Sequence, residues 1–165
     1  MAKYRIWIIG LVSLLILFSL SQFKQNSLDT RSDQIFNIDK SDIFGINIHQ
    51  GIDSLSLSFN GDNWSIINHD SLQVKDNTLN GFFDKLLNLK RTSLVSKNPS
   101  KWDKFMVGDS TGTHLVFLDY NGESLGSIIV GRSNAEWSSS NVRIEDEVEV
   151  YQTNENVSWQ LNTSP

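Results

Sequence analysis

A chain of 165 residues, 39% hydrophobic and with five tryptophans, suffices for one packed domain plus an appendage, which excludes global disorder. Cysteine is absent, so disulfide staples, thiolate metal sites and cysteine nucleophiles are excluded as well. The formal net charge is −5, and setting aside Lys3 and Arg5 leaves the rest at −7. Such a surface repels phosphate backbones, and no Lys/Arg cluster with interleaved aromatics offsets it, so nucleic acid is not the expected partner.

The first element in the chain is the uncharged stretch Ile6–Phe23. As a helix its 18 residues would span roughly 27 Å, close to the hydrocarbon thickness of a bilayer. It shows no polar face, and its serine hydroxyls can bond back to the preceding turn. Two membrane readings follow. A retained signal anchor would keep Lys3 and Arg5 inside by the positive-inside bias. A cleaved signal peptide would have to use Ser19-Leu20-Ser21, a poor small-x-small site after a long apolar run. The retained anchor is the expectation, and both readings put the rest of the chain on the extracytoplasmic side.

The expected organisation is therefore a membrane anchor over residues 1–23, a polar tether over 24–41 and an α+β domain over 42–165. Phe44, Ile46 and Ile48 alternate with smaller or polar residues, as do Leu55, Leu57 and Phe59, the pattern of strands with one buried face. The turn Asn60-Gly61-Asp62-Asn63 leads to a third strand begun by Trp64. Leu79, Phe82 or Phe83, Leu86 and Leu87 then follow helical spacing, with Asp76 as expected N-cap and Gly81 as a weak point. "TSLVSK" reads as a strand, and Pro99 opens a short helical piece through Trp102 and Phe105. "THLVFLDY" and "ESLGSIIVG" flank Asn121-Gly122, a type I′ hairpin signal. "SSNVRI" and "EVEVY" form a further pair about Glu145-Asp146, with Val148 and Val150 expected to face inward and Glu147 and Glu149 outward. One main amphipathic helix among strands in sequence order argues for α+β with a largely antiparallel sheet.

Candidate chemistry is sparse. Gly108 and Gly112 lie two residues either side of Ser110, as in a nucleophile elbow. The elbow needs strand then helix, however, and a strand carrying His114 follows, so the stretch reads as a polar turn. His49, His69 and His114 are scattered; His69-Asp70 offers two metal ligands without a third at ligand spacing. The acids Glu145, Asp146, Glu147 and Glu149 read as a solvent-facing run, and nothing selects a glycosidase pair. No catalytic, metal or cofactor residue is assigned. The loop after Gly131 carries Arg132 and Trp137; Trp137 either covers the end of the sheet or stands exposed to stack on a sugar or a partner, and the two residues form the candidate interaction surface. Asn63, Asn156 and Asn162 sit in glycosylation sequons.

In their order these segments resemble the family known as domain of unknown function 4340. The likeness rests on Ile46-Asn-Ile48, Leu55–Phe59 before Trp64-Ser-Ile66, the leucine-spaced Leu79–Leu89, Phe105-Met-Val107, Leu115-Val-Phe117, Ile129-Val130-Gly131, Val142-Arg143 and Val150-Tyr151, spanning about Ile43 to Gln152. Phe105-Met106-Val107 departs from the aromatic-Gly-Leu form common in that family. The resemblance implies a bacterial, membrane-anchored extracytoplasmic domain, in some members an auxiliary component of gliding-motility-type ABC transport systems. It also puts Ser110 in a connecting turn and carries over no catalytic residue. The functional expectation is a non-enzymatic domain binding a membrane-protein partner, with a glycan- or solute-binding module as the alternative.

Overall fold

The computed structural model describes residues 33–69, 72, 74–133 and 136–163, together with residue 14. Apart from Leu14, the apolar segment Ile6–Phe23 lies outside the described residues. Among those described, no helix is long and apolar enough to cross a membrane. Two compact units divide the chain, Met1–Thr30 and Arg31–Pro165, and the sheet and its helix belong to the second.

The strands are β1 (Asp33–Gln34), β2 (Gly45–Gln50), β3 (Asp53–Phe59), β4 (Trp64–Ile66), β5 (Lys90–Ser96), β6 (Thr113–Leu118), β7 (Ser124–Arg132), β8 (Ser140–Ile144) and β9 (Val150–Thr153); helix α1 is Asp76–Leu87. They form one sheet in the order β1-β5-β9-β8-β7-β6-β2-β3-β4, antiparallel at every described pairing. The fold is therefore α+β, a largely antiparallel sheet with one α-helix among the described residues. Consecutive β6 to β9 form a meander, and β2 joins the β2-β3-β4 meander to it by pairing with β6.

Period-two alternation sends Ile46 and Ile48 of β2, Leu115 and Phe117 of β6, and Ile128 and Val130 of β7 to one face. Helix α1 crosses that face and inserts Leu79, Phe82, Phe83 and Leu86. Each such buried side chain contributes roughly 1.5–3 kcal/mol, which outweighs the about 1 kcal/mol that Gly81 costs the helix. Val107, Ile129 and Val150 make a smaller apolar cluster, packed against Trp102 and Phe105 of the Pro99–Phe105 segment.

Four local expectations are corrected. The tether ends before residue 41: β1 pairs with β5, and Phe36 is buried edge-on against Phe117 at 5.0 Å, because an apolar ring next to the sheet edge gains more from the core than from solvent. Asp76 is the first helical residue and not the N-cap; Lys75 holds that place without a side-chain cap, and Asp76 instead meets the positive end of the helix dipole. The Asn121-Gly122 hairpin forms, but Asn121 is not at positive φ. Only Gly122 is left-handed, at φ 80°, while the Asp119 carboxylate accepts from the backbone N–H groups of Asn121 and Glu123. This is a one-sided turn with a glycine bulge and not type I′. Finally, β9 begins only at Val150, so Val148 sits in the preceding turn and is exposed, while Glu147 turns back to Arg91 at 3.4 Å.

Candidate interaction surface

Strand register gathers several loops at one end of the sheet. Arg132 closes β7 opposite Ser140, the first residue of β8, so Ser133 and residues 136–139 lie at that end. His49 faces His114, and Thr113 faces Val130, which brings the β2–β3 turn with Gly51 and Ile52 to the same end. The segment after Thr153 starts there too. It anchors itself through buried Val157 and Leu161.

A polar clasp holds these loops together. Asn156 donates from Nδ2 to the Trp137 carbonyl at 2.9 Å, and its Oδ1 accepts from Ser140 Oγ at 3.1 Å and from Ser158 N and Oγ. Val157 N donates to Ser140 Oγ, and Thr153 Oγ1 ties into both backbone atoms of Ser140. With its main chain fixed, Trp137 is 85% exposed. It does not cover the end of the sheet. Trp159 is 68% exposed, and Arg132 lies over its ring, the guanidinium carbon 5.5 Å from the centroid. Fully exposed Ile52 belongs to the same end. Arg132 therefore stands with Trp159, a residue that the sequence reading passed over. Its signal was legible in hindsight: in "NVSWQL" a tryptophan lies between two apolar residues that a turn, and not a strand, sends the other way.

A second constellation lies on the face opposite α1. Arg143, only 3% exposed, donates from Nε to the Val107 carbonyl (3.1 Å), from Nη1 to the Glu145 carbonyl (3.2 Å) and from Nη2 to Asp109 Oδ1 (2.6 Å). Its guanidinium sits 3.8 Å over the Trp102 ring, whose Nε1 donates to the Val148 carbonyl at 3.0 Å. Arg143 thus pins the Pro99–Gly112 segment to the sheet. Next to it, His114 donates from Nε2 to the Asp109 carbonyl at 2.9 Å, since a carbonyl only accepts. The imidazoles of His49 and His114 stack at 4.2 Å. Burial, and then the nearness of His114, hold His49 below the usual histidine pKa against an opposing pull from Glu145.

Ser110 occupies the exposed turn between this segment and β6; Gly112 N donates to the Gly108 carbonyl at 2.8 Å to close it. The turn follows 3-10 structure and feeds a strand, and His114 is engaged with Asp109. His69 is exposed, Asp70 lies outside the described residues, and among the described residues no three His, Asp or Glu side chains gather as metal ligands would. Of the sequons, Asn63 is exposed in the β3–β4 turn, whereas Asn156 commits its amide nitrogen to the clasp. Gly131 ends the Ile-Val-Gly motif for a steric reason. A Cβ there would lie 2.3 Å from the Phe105 carbonyl oxygen, so the close pass of the Phe105–Met106 backbone requires glycine.

Taken together, the geometry is that of an α+β sheet domain presenting an aromatic end braced by its C-terminal segment. The chain belongs to the family described as Domain of unknown function (DUF4340), whose model matches residues 64–165. The match takes in the clasp, Trp137 and Trp159, and begins at β4. Neither the curated proteins nor the solved structures compared with the chain contain a match.

Proposed function

We propose that this is a non-enzymatic protein, anchored by the Ile6–Phe23 segment as a single-pass signal anchor, whose domain grips a protein partner on the extracytoplasmic side, in an envelope complex such as a gliding-motility-type ABC transporter. The apolar N-terminal stretch with Lys3 and Arg5 before it supports the anchor. The observation that carries the reading is the exposed pair Trp137 and Trp159 with Arg132, held on a hydrogen-bonded frame. Tryptophan and arginine are the residues on which binding energy concentrates, and a rigid frame lowers the entropy lost on docking. A second reading, binding of an envelope glycan, is favoured by the open ring of Trp137, which offers a stacking face.

Cross-linking in native membranes, followed by mass spectrometry, tests the proposal. Transporter permease or ATPase subunits should cross-link to the wild-type chain. Replacing Trp137 and Trp159 with alanine should cut that yield at least about tenfold, as loss of interface anchors does. Unchanged yield in the double variant would refute the tip as the contact. Quenching of tryptophan fluorescence by envelope polysaccharide, lost in Trp137→Ala, would establish the second reading instead.

A further inference from the structure

A cavity of about 390 Å³ lies between helix α1, the β2–β4 strands and the C-terminal segment. Ile46, Ile48, Leu57 and Phe82 are among the apolar side chains lining it, and all four are buried. Its polar lining is small: Lys75 and Thr78 from the start of α1, and Gln160 and Asn162 from the C-terminal segment. Among the described residues Lys75 is the one charged member of the lining, it is exposed, and no carboxylate pairs with it. Exposed Ile67 and Leu72 stand on the segment leading from β4 to Lys75.

We infer that this cavity binds a single-chain anionic amphiphile, its alkyl chain between α1 and the sheet and its carboxylate at Lys75. Small-molecule sites are of this size, mostly apolar, with few polar groups that fix orientation. The volume is at the low end of that range, which suits one chain and not two. An apolar floor with a lone cation beside it selects an acid over an alcohol of equal chain length, because the alkyl parts gain equally and only the acid meets an opposite charge. Gln160 of the lining follows Trp159 of the proposed partner contact, so the two sites adjoin; labelling by laurate and cross-linking to a partner are read separately, so either can fail without the other.

The test uses the full chain in phospholipid nanodiscs with a diazirine-bearing laurate, cross-linked peptides being mapped by mass spectrometry. Label is expected on the peptides holding Leu55–Leu57 and Val74–Phe82. Laurate should compete it away at lower concentration than dodecanol. Lys75→Glu should raise the laurate concentration required by about fivefold and leave dodecanol unchanged. Val74→Trp and, separately, Leu55→Phe should fill the space and abolish labelling while far-ultraviolet dichroism stays native. Absence of label from these peptides overturns the proposal, as do equal competition by acid and alcohol and persistence of label in a folded, filled variant. A benzoylphenylalanine placed at Leu55 that captures a polypeptide in place of laurate would assign the cavity to a protein segment and overturn it too.

Discussion

Arg143 is the residue with the most at stake. Removing it strands the carbonyls of Val107 and Glu145, leaves the Trp102 face bare and releases Asp109. Arg143→Ala should therefore cost about 2–4 kcal/mol in chemical denaturation. Asp109→Ala should cost less than about 1 kcal/mol, because its carboxylate is largely in water, where an ion pair contributes little. Equal losses in the two variants would show that the ion pair, and not the carbonyl and ring contacts, fastens the segment. The stacked imidazoles add a pH dependence with a definite sign. His49 has a lowered pKa in the folded chain, so between its ordinary value near 6.5 and the lower folded value the unfolded chain binds more protons. Its contribution is fully present above about pH 6.5 and is lost as pH falls through the folded pKa. A melting series from pH 7.5 to 5 should show that decline, and His49→Gln should flatten it.

Among the elements, α1 offers the plainest gain. A methyl group at Gly81 meets nothing within 4 Å, so Gly81→Ala should stabilise the domain by about 1 kcal/mol and raise the melting temperature by a few degrees. A fall would mean that the position is needed for something other than the helix. This helix and most strands were legible because each has one apolar face, and the 3.6 and 2 periodicities write that face into the order of residues. Turn chemistry was less legible. Asn121-Gly122 announces a hairpin, yet the Asp119 carboxylate, outside that dipeptide, decides its form. Phe36 was lost in a polar stretch because Ile35, Phe36 and Ile38 are too few and too close to write a period, and β1 exists only through distant Lys90 and Arg91. The site shows the same division. Trp137 in its polar loop was visible, whereas its frame joins Ser140 and Asn156, sixteen residues apart, and depends on a register that local pattern does not carry.

At the scale of the whole molecule, the pairing of β2 with β6 is the seam that joins β2–β4 to the rest of the sheet, while the β6–β9 meander is paired on both sides. Amide exchange should accordingly be fastest in β3 and β4 and slowest in β7 and β8. Uniform protection across the sheet would show that the cover of α1 outweighs strand order. The two outermost strands carry a different consequence. With two residues in β1 and three in β4, these outermost strands are too short to template a foreign strand, and among the described residues they leave 92–96 of β5 and 53–55 of β3 without an outer strand partner. An extended peptide could be annexed only along those two short inner stretches, away from the outermost strands themselves, whereas the aromatic end is read by side chains, through shape and stacking.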